Sequence, residues 1–367
     1  MPLPGDAIAA ALTSSQLDAC LRSAAPTAWD AVWQALPYQA VASAIPMLDY
    51  QHAYFRGADW QLQDISLVLR TDGKPCGLWP LSLGGPVAGG APGPHLSTAG
   101  AAVLAPSFVA GLSPRTVKKL CVRALAFAQS LCVQLDLPPP QIEQAANPDA
   151  SDASLSEWHQ QLMAQGGRPV LRHDLYANLQ PGLPDIRASF RKSFRPLINV
   201  GLRNWSVFVM DLGQADESVW AEFKQLHLTV AGRSTRSDDS WALQWAMLAA
   251  GQAFLVGLRD PADQRLVGAG FFQCTRDEGL YAVGAYDRSL FDKPLGHVVQ
   301  QRAIETMKAR GLRWYRIGEC HYRQDIPPPT AKMVAISAFK QGFASHHFQR
   351  VEFSLPRNEA GAEAVEP

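Results

Sequence analysis

Two short apolar runs rich in strand-forming residues, Leu266–Thr275 (LVGAGFFQCT) and Leu280–Asp287 (LYAVGAYD), lie either side of a turn at Arg276–Gly279. After Phe291-Asp292-Lys293-Pro294-Leu295-Gly296 the period changes. Val299, Ala303 and Met307 recur every four residues with Ile304 beside them. That spacing predicts a helix from about His297 to Arg310 with one buried face, stopped by Gly311. Trp314–Gly318 reads as the next strand. A glycine and a helix N-terminus at the end of a strand offer backbone N–H groups to an anion.

The pattern extends to the rest of the chain. Residues 1–60 read as helices at Ser15–Ala24, Ala28–Leu36 and Met47–Tyr54, separated by the helix breakers Pro26, Pro37 and Pro46. Asp64–Arg70, a turn at Thr71–Lys74 and Gly77–Leu83 read as a hairpin, followed by a Gly/Pro-rich loop at Gly84–Pro94. Ser113 as N-cap and Pro114 at the first helical position open a helix to about Cys132. A polar connection at Pro138–Asp152, a helix near Leu155–Gln165 and a strand near Arg172–Leu179 follow. Ser206–Asp211 is a strand. Val219, Phe223, Leu226 and Val230 mark an amphipathic helix. Ser237 or Asp238 caps another helix, Ser240–Ala250. Thr330–Phe343 is a helix with Met333, Ile336 and Phe339 on one face, closed by Gly342. His347–Leu355 is the last strand.

Two segments share an order. DISLVLRTDGKPCGLWPLSLG, from Asp64, and AFLVGLRDPADQRLVGAGFFQ, from Ala253, are each an apolar strand, an arginine, a polar turn and a glycine-containing apolar strand. Two tandem copies of one α/β unit would give this. The boundary is expected near residues 145–185, where Pro, Asn, Asp and Ser cluster.

Composition narrows the function. The chain has 367 residues and formal net charge +0, enough length for two domains with their own cores. A hydrophobic fraction of 47% marks a globular protein. The neutral balance argues against a general polyanion binder and against DNA as a partner. No apolar run approaches the roughly 20 residues of a membrane span, and the first residues lack the basic and apolar regions of a secretory signal. Six scattered cysteines without a CxxC pair point to reduced thiols in a cytoplasmic protein, with no zinc site or disulfide scaffold. Cys274 and Cys320, within strand-like runs, read as buried, inert thiols. G-x-S-x-G, H-E-x-x-H and P-loop motifs are absent. Gly89-Gly90 has no strand-to-helix context.

Charge is local. Arg187, Arg191, Lys192, Arg195 and Arg203 are five positive charges with no negative one between them. They form either a solvated helix face or a face for a phosphate or carboxylate, which arginine suits through paired hydrogen bonds. Pro196 kinks that helix or ends its first part. The loop within Leu226–Trp241 carries Arg233 and Arg236 and is a second place to grip a substrate. His227 reads as structural.

These residues carry a resemblance. RKSFRPLINVGLRN at Arg191–Asn204, LHLTVAGRSTRS with the following Trp241, AYDRSLFDKPLGH at Ala285–His297 and WYRIGE at Trp314–Glu319 resemble the FemAB-like branch of the N-acyltransferase superfamily, also known as BioF2-like acetyltransferases. The resemblance covers about residues 183–345. It implies an α/β (α+β) fold of two tandem N-acyltransferase-like domains, each a splayed mixed sheet flanked by helices. The expected division is residues 1–150, a connection at 151–185, a site-bearing domain at 186–357 and a frayed tail at 358–367. Acetyl-CoA-binding members carry Q/R-x-x-G-x-G/A before the central helix; here Asp292–His297 has one glycine. Relatives take acyl groups from CoA or aminoacyl groups from tRNA, and the sequence does not choose between them.

The resemblance implies a transferase that moves an acyl or aminoacyl group onto an amine. That needs a base for the amine's proton, a donor for the oxyanion and alignment of the reactants. Asp287 or Glu319 could be the base, or each could be an ordinary strand-end ion pair. Tyr286 could serve the oxyanion or the leaving group, or simply pack. Lys293 and Gly296 would hold a donor phosphate. His297 is an acid/base candidate or a cap. Arg191, Lys192, Arg195, Arg233, Arg236 and Trp241 would hold an anionic acceptor, such as an amino sugar of a cell-envelope or polysaccharide precursor. Acyl-CoA is the expected co-substrate, with no tightly bound cofactor. A tRNA donor is less favoured by the neutral charge. The alternative is a binding protein that keeps the fold without the chemistry.

Overall fold

Strand Glu278–Tyr286 stands at the middle of the sheet in the second half of the chain, and its neighbours differ on its two sides. In this computed structural model, which describes residues 4–87, 93–145, 148–149 and 155–356, the chain divides into two units. One comprises residues 38–57 and 172–349; the other comprises residues 1–37, 58–171 and 350–367.

In the unit of residues 38–57 and 172–349, strands Ser206–Met210, Ala253–Arg259, Leu266–Cys274 and Glu278–Tyr286 run antiparallel in that order. The next strand, Trp314–Glu319, is parallel to Glu278–Tyr286, because the helix Leu295–Ala309 connects them. Strand Arg168–Asn178 pairs with its far edge. The parallel ladder covers only Glu278–Leu280 against Trp314–Arg316, although both strands continue. Beyond it they splay.

Alternation along the strands supplies two cores. Phe254, Val256 and Leu258 face helices Phe194–Asn204 and Leu295–Ala309, where Ile198, Val299, Ala303 and Met307 are buried. Ala253 and Leu255 face helices Glu217–Ala231 and Asp238–Ala249, where Trp220, Phe223 and Trp241 are buried. Each fully buried large side chain contributes roughly 1.5–3 kcal/mol. A bulge in Glu278–Tyr286, where Phe271 pairs with Val283 but Phe272 with Tyr281, changes the alternation. Val283 and Ala285 therefore face one core while Tyr281 and Tyr286 face the other.

Residues 38–57 are fastened to this unit by buried carboxylates. The Tyr38 hydroxyl donates to Glu278 Oε2 at 2.6 Å, the Val41 N–H to Oε1 at 3.2 Å, and the Gln39 N–H to Asp277 Oδ2 at 2.9 Å. Burial raises the Glu278 pKa, opposed by the Arg316 charge and the Tyr38 hydrogen bond. Helix Ile45–Arg56 then packs on helix Asp238–Ala249.

In the other unit, hairpin Leu67–Thr71/Lys74–Trp79 continues, after breaks near Ile65 and Pro80, into Trp60–Asp64/Ser82–Pro86. Asp72 and Gly73 take positive φ at its turn. Helix Pro114–Gln134 starts on a Ser113 cap and packs against helices Pro4–Ser15 and Glu157–Ala164. Strand Gln141–Gln144 lies within the expected polar connection and pairs with Val103–Leu104 and with the end of His346–Ser354. A hairpin and a later long helix thus occur in both halves, and strand Gln141–Gln144 corrects the expected polar connection after the first of these helices.

Several expectations are corrected. Ser15–Ala24 is not a helix: Ala19–Leu21 is a strand paired with Leu67–Leu69, and the helix lies earlier, at Pro4–Ser15. Pro26 and Pro46 stand in the first turns of helices Pro26–Ala35 and Ile45–Arg56. The basic segment is two helices, Leu183–Ser189 and Phe194–Asn204, broken before Pro196. Of the expected face of helix Ala331–Gln341, Phe339 packs inward but Met333 and Ile336 are exposed. The compact units are not contiguous halves, since residues 38–57 and 350–356 each belong with the other half of the chain. Gly89-Gly90 and the tail 358–367 lie outside the described residues.

Candidate functional site

The splay between Glu278–Tyr286 and Trp314–Glu319 opens beside the N-terminus of helix Leu295–Ala309, which has no side-chain cap. On the helix side, the Tyr281 and Tyr286 hydroxyls are 3.0 Å apart, and the buried Tyr315 hydroxyl donates to Gln300 Oε1 at 2.5 Å. Burial pushes the Tyr281 phenol up to about 12, against the pull of its bond to Tyr286, and raises Tyr286 and Tyr315 well above the ordinary value. All three are neutral proton donors at neutral pH.

Lys340 enters this crevice from the end of helix Ala331–Gln341. Its ammonium lies 5.9 Å from the centre of the Tyr281 ring and directly against Gly318. Gly318 has φ +129°, a conformation that favours glycine, and a β-carbon there would collide with Nζ. Among the described residues Lys340 Nζ has no hydrogen-bond acceptor. Burial lowers its pKa, and the Glu319 carboxylate pulls the other way. Glu319 is the half-exposed end of the strand, 3.4 Å from His321 Nε2. Beneath, Arg316 donates to the buried Asp174 at 2.9 Å.

His297 flanks the crevice. Its ring meets Phe194 at 4.5 Å and Phe339 at 5.1 Å. Burial, aided by the Arg191 charge, lowers its pKa to about 4, so it is neutral at pH 7. Gly296 fits under Phe339, which a β-carbon would approach to 3.0 Å. Arg191 lies over Phe194 and donates to the Ala338 carbonyl at 2.8 Å, fastening one helix to another.

The remaining expected site residues are elsewhere or engaged. Lys293 pairs with Asp292 at 3.0 Å. Arg195 bonds the Ala188 carbonyl at 2.5 Å, and Lys192 is exposed. Asp287 accepts from Arg265 at 2.6 Å and from Ser289, and these bonds hold its carboxyl below the usual range. It lines a 660 Å³ groove with Gln225 and Leu226 on the other side of the sheet. Trp241 is a core residue on that side. Arg236 lies over it and donates to Tyr50 at 3.1 Å, with His227 Nε2 at 2.8 Å; Arg233 is exposed. Arg191, Lys192 and Arg195 are therefore not brought together with Arg233, Arg236 and Trp241. Of the expected residues, Tyr286 meets Tyr281 beside Lys340, Gly296 and His297 lie against Phe339, and Glu319 follows Gly318 at the strand end. Lys340, Tyr281 and Gly318 were missed by sequence reasoning. A lysine next to an aromatic in the last helix gives no period to find it by.

In sequence the chain matches no family model and no curated protein. In structure it is similar to FemX, with a TM-score of 0.63 at 12% identity over 89% of this chain and 95% of that one. It is also similar to the C-terminal domain (DUF2156) of a protein assigned as a lysylphosphatidylglycerol synthetase from Agrobacterium fabrum, with a TM-score of 0.54 at 12% identity over 91% and 92% of the two chains. L-PGS from Bacillus licheniformis follows, with a TM-score of 0.52 at 12% identity over 84% and 87%. The chain thus shares its fold with FemX, with L-PGS and with the lysylphosphatidylglycerol synthetase C-terminal domain.

Proposed function

We propose that the chain is a transferase that moves an acyl or aminoacyl group onto the amino group of an anionic acceptor, with its site at the splay. The observation that carries this is Lys340. An ammonium drawn into a partly buried crevice without an acceptor is costly unless a negative charge arrives, and acyl transfer delivers one. As the amine attacks the carbonyl, a C–N bond forms and the oxygen becomes an anion that Lys340 can bind. Collapse breaks the bond to the leaving oxygen or sulfur. The reading gives the amine's proton to Glu319. It gives the leaving group a proton from the Tyr281–Tyr286 pair.

The donor follows from what the loop lacks. Lys293 is engaged by Asp292, and Gly296 accommodates Phe339. Neither feature supports a CoA pyrophosphate held in the usual loop. The uncapped helix N-terminus still offers N–H groups to an anion. The lysylphosphatidylglycerol synthetase domain, as a similar fold, favours an aminoacyl group. An amino sugar linked to a nucleotide fits the requirement for an anionic acceptor.

The test offers acyl-CoA or aminoacyl-tRNA with nucleotide-activated amino sugars and follows the acceptor's mass. Transfer by the native protein, reduced about 10²–10³-fold by Lys340→Met at unchanged melting temperature, is expected. Transfer unaffected by Lys340→Met would remove the site from the splay. Tight sugar binding without transfer from either donor would favour a binding protein.

A further inference from the structure

We propose that the outer face of helix Ala331–Gln341, with the turn before it, docks on an anionic membrane surface. This helix is built of apolar residues, yet Ser337 is its single buried side chain. Met333 and Ile336 are 38% and 43% exposed, and Tyr322 and Ile326 in the preceding turn are 38% and 81% exposed. Of the apolar stripe that the sequence period predicts, Phe339 packs on Phe194 and His297, while Met333 and Ile336 stay exposed.

Charge identifies the occupant. Arg323 and Lys332 are exposed and have no ion-pair partner among the described residues. Asp325 is the one acidic residue between His321 and Gln341, and it accepts the Tyr322 N–H at 2.9 Å. The helix end is tied by Phe339 and the Arg191 bond to Ala338 to the segment Arg187–Arg203, which carries five cations and no anion. Apolar side chains interleaved with unpaired cations match a bilayer interface, where acyl chains take the first and anionic headgroups the second. A second copy docking by a two-fold axis would set these cations against themselves. Nucleic acid would satisfy the cations but not Met333 and Ile336, which cannot stack on bases. Among the described residues no helix is long and apolar enough to cross a membrane.

The experiment is sedimentation of the full chain with vesicles, needing no donor or acceptor, so its outcome is independent of the transferase reading. Equimolar phosphatidylglycerol and phosphatidylcholine vesicles should bind at least ten-fold more protein than phosphatidylcholine alone, and less as salt rises. Met333→Glu with Ile336→Glu should abolish binding without lowering the melting temperature, because both side chains are exposed. Lys332→Gln should weaken it about five-fold. Equal binding to both vesicles, or a double variant that binds like the native chain, would overturn the proposal. So would a dimer in light scattering that the double variant splits, which would assign the face to a second copy.

Discussion

Gly318 and Lys340 fit each other so closely that no side chain can be added at residue 318 without displacing the ammonium. Gly318→Ala would also place an alanine at φ +129°. That strain costs about 1–2 kcal/mol. The expected result is a small fall in urea midpoint and a loss of transfer approaching that of Lys340→Met. Full activity in Gly318→Ala would show that Lys340 need not stay where it is.

Arg236 and Arg233 look interchangeable in sequence and differ in structure. Arg236 holds Tyr50, His227 and Thr235 and covers Trp241. Arg236→Ala should destabilise by about 2–3 kcal/mol, whereas Arg233→Ala, exposed, should stay within about 0.5 kcal/mol. Equilibrium unfolding of the two variants separates structural from free arginine; equal values would contradict the assignment.

The Tyr38 hydroxyl donates to the buried Glu278 carboxyl at 2.6 Å. Tyr38→Phe keeps the ring and removes the donor, at a cost of about 1.5–3 kcal/mol. Hydrogen exchange should quicken across helix Ile45–Arg56. Unchanged protection there would mean that this helix is held by its packing alone.

Acid should destabilise the fold in a defined window. His227 and His297 each titrate near 4 when folded, chiefly because burial disfavours the cation, against an ordinary value of 6.5. Between these values the unfolded chain binds protons that the folded protein does not, so stability rises with pH and falls as pH drops from 6.5 through 4. Asp287, held low by Arg265, adds loss in the same direction at lower pH. Glu278 acts oppositely, because its raised pKa makes its contribution fall as pH rises. His227→Gln and His297→Gln should flatten the melting-temperature profile in this window; identical slopes would show that these rings are not the cause.

Local period made much of the fold legible. Val299, Ala303 and Met307 announced the central helix, and Ser113-Pro114 announced the longest one, because both signals are contained in the segment itself. Ala19–Leu21 was misread because its residues suit a helix, and only the distant partner Leu67–Leu69 makes it a strand. Met333 and Ile336 show a different limit: a stripe can be counted in sequence, but whether anything packs on it cannot. At the site, Glu319 and His297 were visible as residues next to strand and helix ends. Lys340 was not, because its importance arises from the return of the last helix to Gly318.

The exchange of segments between the two units has a consequence for synthesis. Residues 38–57 leave the ribosome long before the strands that carry Asp277 and Glu278 exist to receive Tyr38 and Gln39. The unit containing residues 1–37 cannot close until Val351–Ser354 pairs with Gln141–Gln144. Neither unit can therefore finish folding while the chain is still being translated through its middle. A nascent chain stalled near residue 170 would expose both an unclosed sheet edge and an undocked apolar helix, making this the stage at which a chaperone is most needed.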